Sequence, residues 1–416
     1  MSKTPNPIRR HRRHALGLVG TFAGVLLVFS AFNTWINPLW VTPAPWTDPS
    51  FAEHRQVYSQ IRTAKAGLAR SLEWDVALLG SSRVAIGLDP DLPQWGDLHV
   101  VNLGLSGASI TENSVMGEYA IEQQPGLKKI ILGLDLTDLT SETDFARGAG
   151  FFDSPLSDRG SSFERELRYV VGFSSAEASY KTLKAKHNST VPPPYTTKGH
   201  WAHHRSSKPV REILEKDSIP FALRYVRLRK IELELAPKKV KAFRKGLETY
   251  LRNGVETVVF IPPNHGAYLC VMPMEDDPDP FFMKDRRAIV DIVAEANAKF
   301  PNSPPVTVWD FNDFHPLNTE PIPEPGGKAM KYWVDGTHAL ESLGEVMLAR
   351  INGWPLEDPD QANYGTIVTP ETIDAREDEI RAGYERYRRE QPEDIRFVKS
   401  VIRHYQATSD DPAGVE

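Results

Sequence analysis

Apolar positions along the chain fall into three regimes. From Ala15 to Ile36 no charged side chain appears, and Leu, Val, Phe, Gly and Ala dominate. Between about residues 71 and 354, short continuous apolar runs alternate with longer segments of helical composition. Beyond Pro355 large apolar residues thin out and charge takes over.

The first regime is long enough for a transmembrane helix, since about 20 apolar residues cross the hydrocarbon layer. Ser30, Asn33 and Thr34 sit near its end, and Trp35 and Trp40 mark the far boundary, where amphipathic rings favour the interface. Arg9, Arg10, Arg12 and Arg13 precede the span and predict a cytoplasmic N-terminus, with the body extracytoplasmic. The apolar run exceeds a usual signal core, and no clean cleavage pattern follows it. Residues 1–14 then form a basic cytoplasmic segment, 15–36 the span, and 37–70 a proline- and tryptophan-containing stalk and linker.

In the second regime the runs Val76 to Leu79, His99 to Leu103, Lys129 to Leu134, Glu256 to Ile261 and Val306 to Phe311 read as strands. Continuous apolar runs suit parallel strands buried on both faces. The expected architecture is an α/β/α sandwich with a five-stranded parallel sheet, spanning 71–354. The gap of about 141–250 is too long for a simple crossover and predicts an insertion. Residues 355–416 predict charged surface helices, interrupted near Pro392, and a disordered tail.

Composition narrows the functional classes. Over 416 residues the formal charge is −6, which gives no broad basic surface and argues against a nucleic-acid partner. Cys270 is the single cysteine, so no intrachain disulfide forms. His200, His203 and His204 lack cysteine or carboxylate partners at ligand spacing and read as a solvated loop, with no metal expected. Asp310, Asn312, Asp313 and His315 read as a strand end followed by a polar turn. Asn188-Ser189-Thr190 is a glycosylation sequon only in a host that glycosylates.

Two segments carry chemistry. The first strand runs into Leu79-Gly80-Ser81-Ser82-Arg83, where small residues permit a sharp turn at the sheet's carboxyl edge. A serine there has an exposed hydroxyl beside the start of a helix. Asp335-Gly336-Thr337-His338 precedes a helical run; at a helix start the three-residue spacing lets Asp335 hold one ring nitrogen of His338 and turn the other toward a nucleophile. Asn264 and His265 follow the fourth strand and are expected at the same edge, as substrate contacts or loop caps.

Taken together, these segments resemble the SGNH/GDSL hydrolase superfamily, which places its serine after the first strand and Asp-x-x-His near the end of the catalytic domain. The resemblance implies a Ser82–His338–Asp335 triad with no cofactor. It also implies an oxyanion hole from the backbone N–H groups of Ser82 and Gly104, the latter in Asn102-Leu103-Gly104-Leu105-Ser106-Gly107-Ala108. Where the family's third block has asparagine, Gly133-Leu134-Asp135-Leu136 puts Asp135; it must be protonated, turned away or engaged with a base such as Arg83, itself a substrate-binding candidate. The anchor and turns look most like membrane-linked envelope proteins such as alginate O-acetyltransferase-like proteins and the D-alanyl-transfer protein of teichoic acid synthesis. The implied function is a serine acyltransferase or esterase acting on O-acyl groups of an envelope or exported polysaccharide. Its partners would be an acyl donor, a carbohydrate or polymer acceptor and a membrane protein that delivers acyl groups. The alternative is a non-catalytic carbohydrate-binding or assembly protein on the same fold.

Overall fold

A computed structural model describes residues 7–140, 150–188, 193–202, 208–231 and 233–408. In chain order, α1 (Pro7–Ile36) and α2 (Ile61–Ser71) precede β1 (Val76–Leu79), α3 (Ser82–Gly87), β2 (Val100–Asn102), α4 (Ile110–Gln123) and β3 (Lys129–Gly133). Helices α5 (Ser162–Val171), α6 (Phe173–Asn188), α7 (Val210–Ile213), α8 (Ile219–Ile231) and α9 (Pro237–Arg252) lead to β4 (Glu256–Ile261). Two single-turn helices, α10 (Gly266–Leu269) and α11 (Val271–Met274), and then α12 (Met283–Lys299) reach β5 (Thr307–Asp310). The chain continues through α13 (Glu341–Asn352), α14 (Pro359–Ala362), β6 (Thr366–Ile367), α15 (Ile373–Glu390) and α16 (Pro392–Thr408).

The chain divides into two compact units, residues 1–71 with 150–197, and residues 72–149 with 198–416. In the first, α1 is apolar and long enough to cross a membrane from His11 to Ile36. The following segment is no extended stalk. Asn37 adopts a left-handed conformation, and its Oδ1 accepts from Thr42 N at 3.0 Å, closing a turn that buries Leu39, Trp40 and Val41. Arg55 donates to Asn37 O at 2.8 Å and stacks over Trp40, and α2 is buried through most of its length. The half of the insertion that carries α5 and α6 belongs to this unit: Asn33 of α1 donates to Val170 O and accepts from Ser179 Oγ, both at 2.9 Å.

The second unit is built on a six-stranded sheet ordered β2-β1-β3-β4-β5-β6. The first five strands are the expected ones and pair in parallel. A sixth, β6, pairs antiparallel with β5 through Trp309–Ile367 and Asp310–Thr366. The C-terminal extension is therefore part of the sheet and its cover. Residues Ile380, Tyr384 and Tyr387 of α15 and Val398, Val401 and Ile402 of α16 are buried. The tail expected after them lies outside the described residues, as do Ser189, Thr190, His203 and His204. His200 is buried rather than solvated, with Nε2 at 2.8 Å from Ile86 O. Every side chain of β1 is buried, and each Val or Leu so placed contributes about 1.5–3 kcal/mol. Paired on both sides, by β2 and β3, this interior strand fixes the position of the turn at its carboxyl end.

Candidate active site

Ser82 is the first residue of α3, immediately beyond the turn that leaves β1. Gly80 permits that turn: its φ is +150°, and a Cβ there would meet Val84 and the Gly133 carbonyl. Both Ser81 and Ser82 line the pocket, but Ser81 is the helix cap, its Oγ accepting from Arg83 N at 3.3 Å, whereas Ser82 Oγ is the one within reach of His338.

Asp335 and His338 lie in a tight loop rather than in a helix start. Trp333 and Ala339 form an isolated bridge, Val334 N donates to His338 O at 3.0 Å, and α13 begins only at Glu341. Ser218 Oγ accepts from Gly336 N at 3.1 Å, and Gly336 O accepts from His265 N at 3.0 Å, fixing the loop from two sides. The resulting contacts form a relay. Asp335 Oδ2 lies 2.7 Å from His338 Nδ1, and His338 Nε2 lies 2.8 Å from Ser82 Oγ. Asp335 Oδ1 accepts from the N–H groups of Thr337 and His338 at 2.7 and 2.8 Å. Burial opposes ionisation of Asp335, but the His338 ring and these N–H donors outweigh it and hold the carboxyl well below its ordinary range.

The oxyanion expectation needs one correction. Gly104 N donates to Asn102 Oδ1 at 3.0 Å, and a Cβ at Gly104 would strike Ala85 N, so this glycine allows the loop to close on α3. Asn102 Nδ2 donates to Val84 O and Leu88 O, both at 2.8 Å, and clamps α3. The later part of that block, Gly107 to Ser109, borders the cavity instead. The Ser82 N–H has no hydrogen-bond partner among the described residues. Asp135 takes the third of the alternatives open to it: its Oδ1 lies 3.4 Å from Arg83 Nε, close enough for charge pairing. Arg83 also donates to Pro263 O at 3.4 Å.

Asn264 reaches the cavity and His265 does not. Asn264 N and Nδ2 both donate to Asn312 Oδ1, at 2.8 and 3.0 Å, leaving its buried Oδ1 without a partner at the cavity wall. His265 caps α10 by accepting from Ala267 N at 3.1 Å, and its other ring nitrogen donates to Glu320 O at 2.8 Å. Burial, opposed by that second bond, lowers His265 to about 4 from an ordinary 6.5. Its neutral ring thus stabilises the fold fully above the unfolded value, and that contribution is lost as pH falls toward the folded one. The loss amounts to about 2 kcal/mol between about pH 7 and pH 5. In urea titrations at those two pH values, His265→Asn, which keeps a cap acceptor, is expected to remove this part of the slope.

The cavity measures about 480 Å³ and has Ser82 and His338 in its wall. Sequence reasoning missed the side contributed by α8, where Phe221, Arg224, Tyr225, Leu228 and Arg229 face the cavity. Their spacing of three and four residues was the available signal. Arg229 is held by Asp277 at 3.1 Å, and its Nη1 has no hydrogen-bond partner. Asp138 and Lys239 form a buried pair at 3.1 Å. Burial raises Asp138 to about 7, with Lys239 opposing and Asp135 adding to the rise. Thr137, a β-branched residue at φ +87°, donates to Tyr225 OH at 3.0 Å. The site thus places a hydroxyl hydrogen-bonded to an imidazole beside a chamber that combines aromatic walls with both cationic and anionic groups.

Neither protein-family models nor curated proteins match this sequence.

Proposed function

We propose that this chain is a membrane-tethered serine acyltransferase or esterase of the SGNH type, acting on O-acyl groups of an envelope or exported polysaccharide. One observation carries the reading: Ser82 Oγ, His338 and Asp335 make a continuous hydrogen-bonded relay, at 2.8 and 2.7 Å, on the wall of a cavity large enough for a sugar unit. In the proposed reaction His338 Nε2 takes the Ser82 proton as Oγ attacks the acyl carbon of an ester donor. The tetrahedral oxyanion faces the Ser82 N–H, and collapse expels the donor alcohol, which receives the proton from His338. A sugar hydroxyl, or water in an esterase, then gives its proton to His338 and attacks the acyl carbon; the bond to Ser82 Oγ breaks, His338 returns the proton to Oγ, and the new ester or free acid leaves. Asp335 keeps the imidazole in the tautomer this requires. The cluster Arg9, Arg10, Arg12 and Arg13 supports placing the body on the non-cytoplasmic side.

Treating the full chain in detergent with a fluorophosphonate, then digesting it and mapping the mass increase, tests the reading. The label is expected on the peptide bearing Ser82, to vanish in Ser82→Ala and to persist in Ser81→Ala. A folded wild-type protein that stays unlabelled, or carries the label elsewhere, would favour the second reading, a carbohydrate-binding platform. The Asp135 carboxylate beside Arg83, where an oxyanion donor is expected, is the observation in its favour.

A further inference from the structure

We infer that α5 and α6 form a lipid-facing collar around the end of α1, seated in the leaflet from which the body emerges. The inference rests on α1 spanning the membrane and is independent of the catalytic reading.

The length of α1 carries the first step. From His14 to Val25 the helix is exposed on every side, and that stretch rises only about 17 Å at 1.5 Å per residue. A hydrocarbon layer is about 30 Å thick, so the exposed part alone cannot cross it. Counting about 20 residues from Arg13 reaches Asn33. Over this second half, Leu26, Phe29, Ser30 and Phe32 are partly covered, and Asn33 and Thr34 are buried. Helices α5 and α6 pack against α1, and Trp46 and Thr47 bond to Thr34. If the bilayer reaches Asn33, the outward faces of these two helices meet lipid.

The second step is the polar group at that depth. An asparagine amide in hydrocarbon is costly unless bonded. Asn33 is wholly buried, and both ends of its amide are satisfied by the two collar helices, through Val170 O and Ser179 Oγ. The contact places α5 and α6 at the level where α1 leaves the apolar layer.

The outward surface fits this setting. Phe163 and Leu167 lie one turn apart on α5 and are 75% and 45% exposed, and Phe173, which opens α6, is 78% exposed. Trp46, at 61%, and Trp35, at 40%, add the amphipathic rings that favour a membrane boundary. Three of the four charged residues of α5 are paired, Arg70 holding Glu166 at 2.8 Å and Glu164 pairing with Arg168 at 2.5 Å along the helix, while Arg165 donates to Arg159 O and Ser157 O; on α6 the exposed Glu177 and Lys181 pair at 2.8 Å. Apolar side chains on one stripe and paired charges on another describe a helix lying in the interface plane.

Site-directed spin labelling of the full chain in phosphatidylcholine–phosphatidylglycerol vesicles tests this. Cys270 is buried, so nitroxides go on Phe163→Cys, Leu167→Cys and Phe173→Cys, with Val25→Cys and Lys399→Cys as lipid and water references. The ratio of oxygen to nickel-chelate collision at the three collar positions is expected to match that at position 25 and to exceed that at 399 severalfold. A water-like ratio at the collar with a lipid-like ratio at 25 overturns the collar and leaves the span standing. A water-like ratio at 25 as well overturns the span, and the collar with it. Low collision with both reagents at the collar means that protein, such as a second copy, covers this face, which also overturns lipid contact.

Discussion

Ser82→Ala and His338→Ala are each expected to lower turnover of a small activated ester by roughly 10⁴-fold or more, and the double variant to cost little beyond either single one. The reason lies in the relay. Removing Ser82 deletes the atom that attacks, and removing His338 deletes the base 2.8 Å from it, so either change stops the same step. Asp335→Ala is expected to retain more activity, because the imidazole survives but loses the carboxylate that orients it at 2.7 Å. Asp335 is also held ionised, so the acid limb of the pH–rate profile should arise from another group. Steady-state kinetics on the four variants, with circular dichroism to confirm folding, read the pattern. Additive losses, or turnover that survives Ser82→Ala, would sink the proposed mechanism.

The largest stability effect is expected at Asp310, where Asp310→Ala should destabilise the sheet unit by about 3–5 kcal/mol. Asp310 is wholly buried at the end of β5, between Arg286 at 2.9 Å and Arg376 at 3.0 Å. Burial alone would raise its pKa, but the two guanidinium groups outweigh that and keep it ionised. Deleting the carboxylate leaves buried Arg286 with only the carbonyls of Phe281 and Asn312, and leaves buried Arg376 to Asp313 at 2.7 Å and Glu379 at 3.2 Å. Arg376→Met removes only one cation and leaves the Arg286–Asp310 pair, so it should cost less, about 1–3 kcal/mol. The consequence reaches the cavity. Asp310 Oδ1 accepts from Asn312 N at 2.9 Å, and Asn312 Oδ1 accepts from both nitrogens of Asn264. Thermal unfolding in detergent should therefore fall by roughly 10 °C for Asp310→Ala. An unchanged midpoint would show that the network contributes nothing net.

How much of this was legible beforehand differs by element. Strands β1 and β4 carry the bounds read from their apolar runs, because fully buried parallel strands need continuous apolar sequence. A helix long and apolar enough to cross a membrane was legible for the same reason, since an unbroken apolar run of that length shows directly in the sequence. Strand β6 was not: two residues at a sheet edge carry no period, and only pairing with Trp309 and Asp310 defines them. The dense charge after Pro355 read as surface because a sequence does not reveal that Arg376 finds a buried aspartate.

The candidate site divides along the same line. Local chemistry identified Ser82, Asp335 and His338 as residues to watch, and the Asp335–His338 contact is a matter of three residues. The meeting of Ser82 with His338, 256 positions apart, depends on β1 lying inside the sheet and on a loop fixed by Ser218 and His265. Arg83 settles against Asp135 because β1 and β3 are neighbours in register. Gly104 turned out to serve closure on α3, because its N–H had a nearer acceptor in Asn102. The sequence by itself determined which segments must be buried in protein or lipid, since composition alone sets the free energy of leaving water. Only the tertiary structure decided which buried partners each polar group would find, because a hydrogen bond or ion pair depends on distance and direction across the fold.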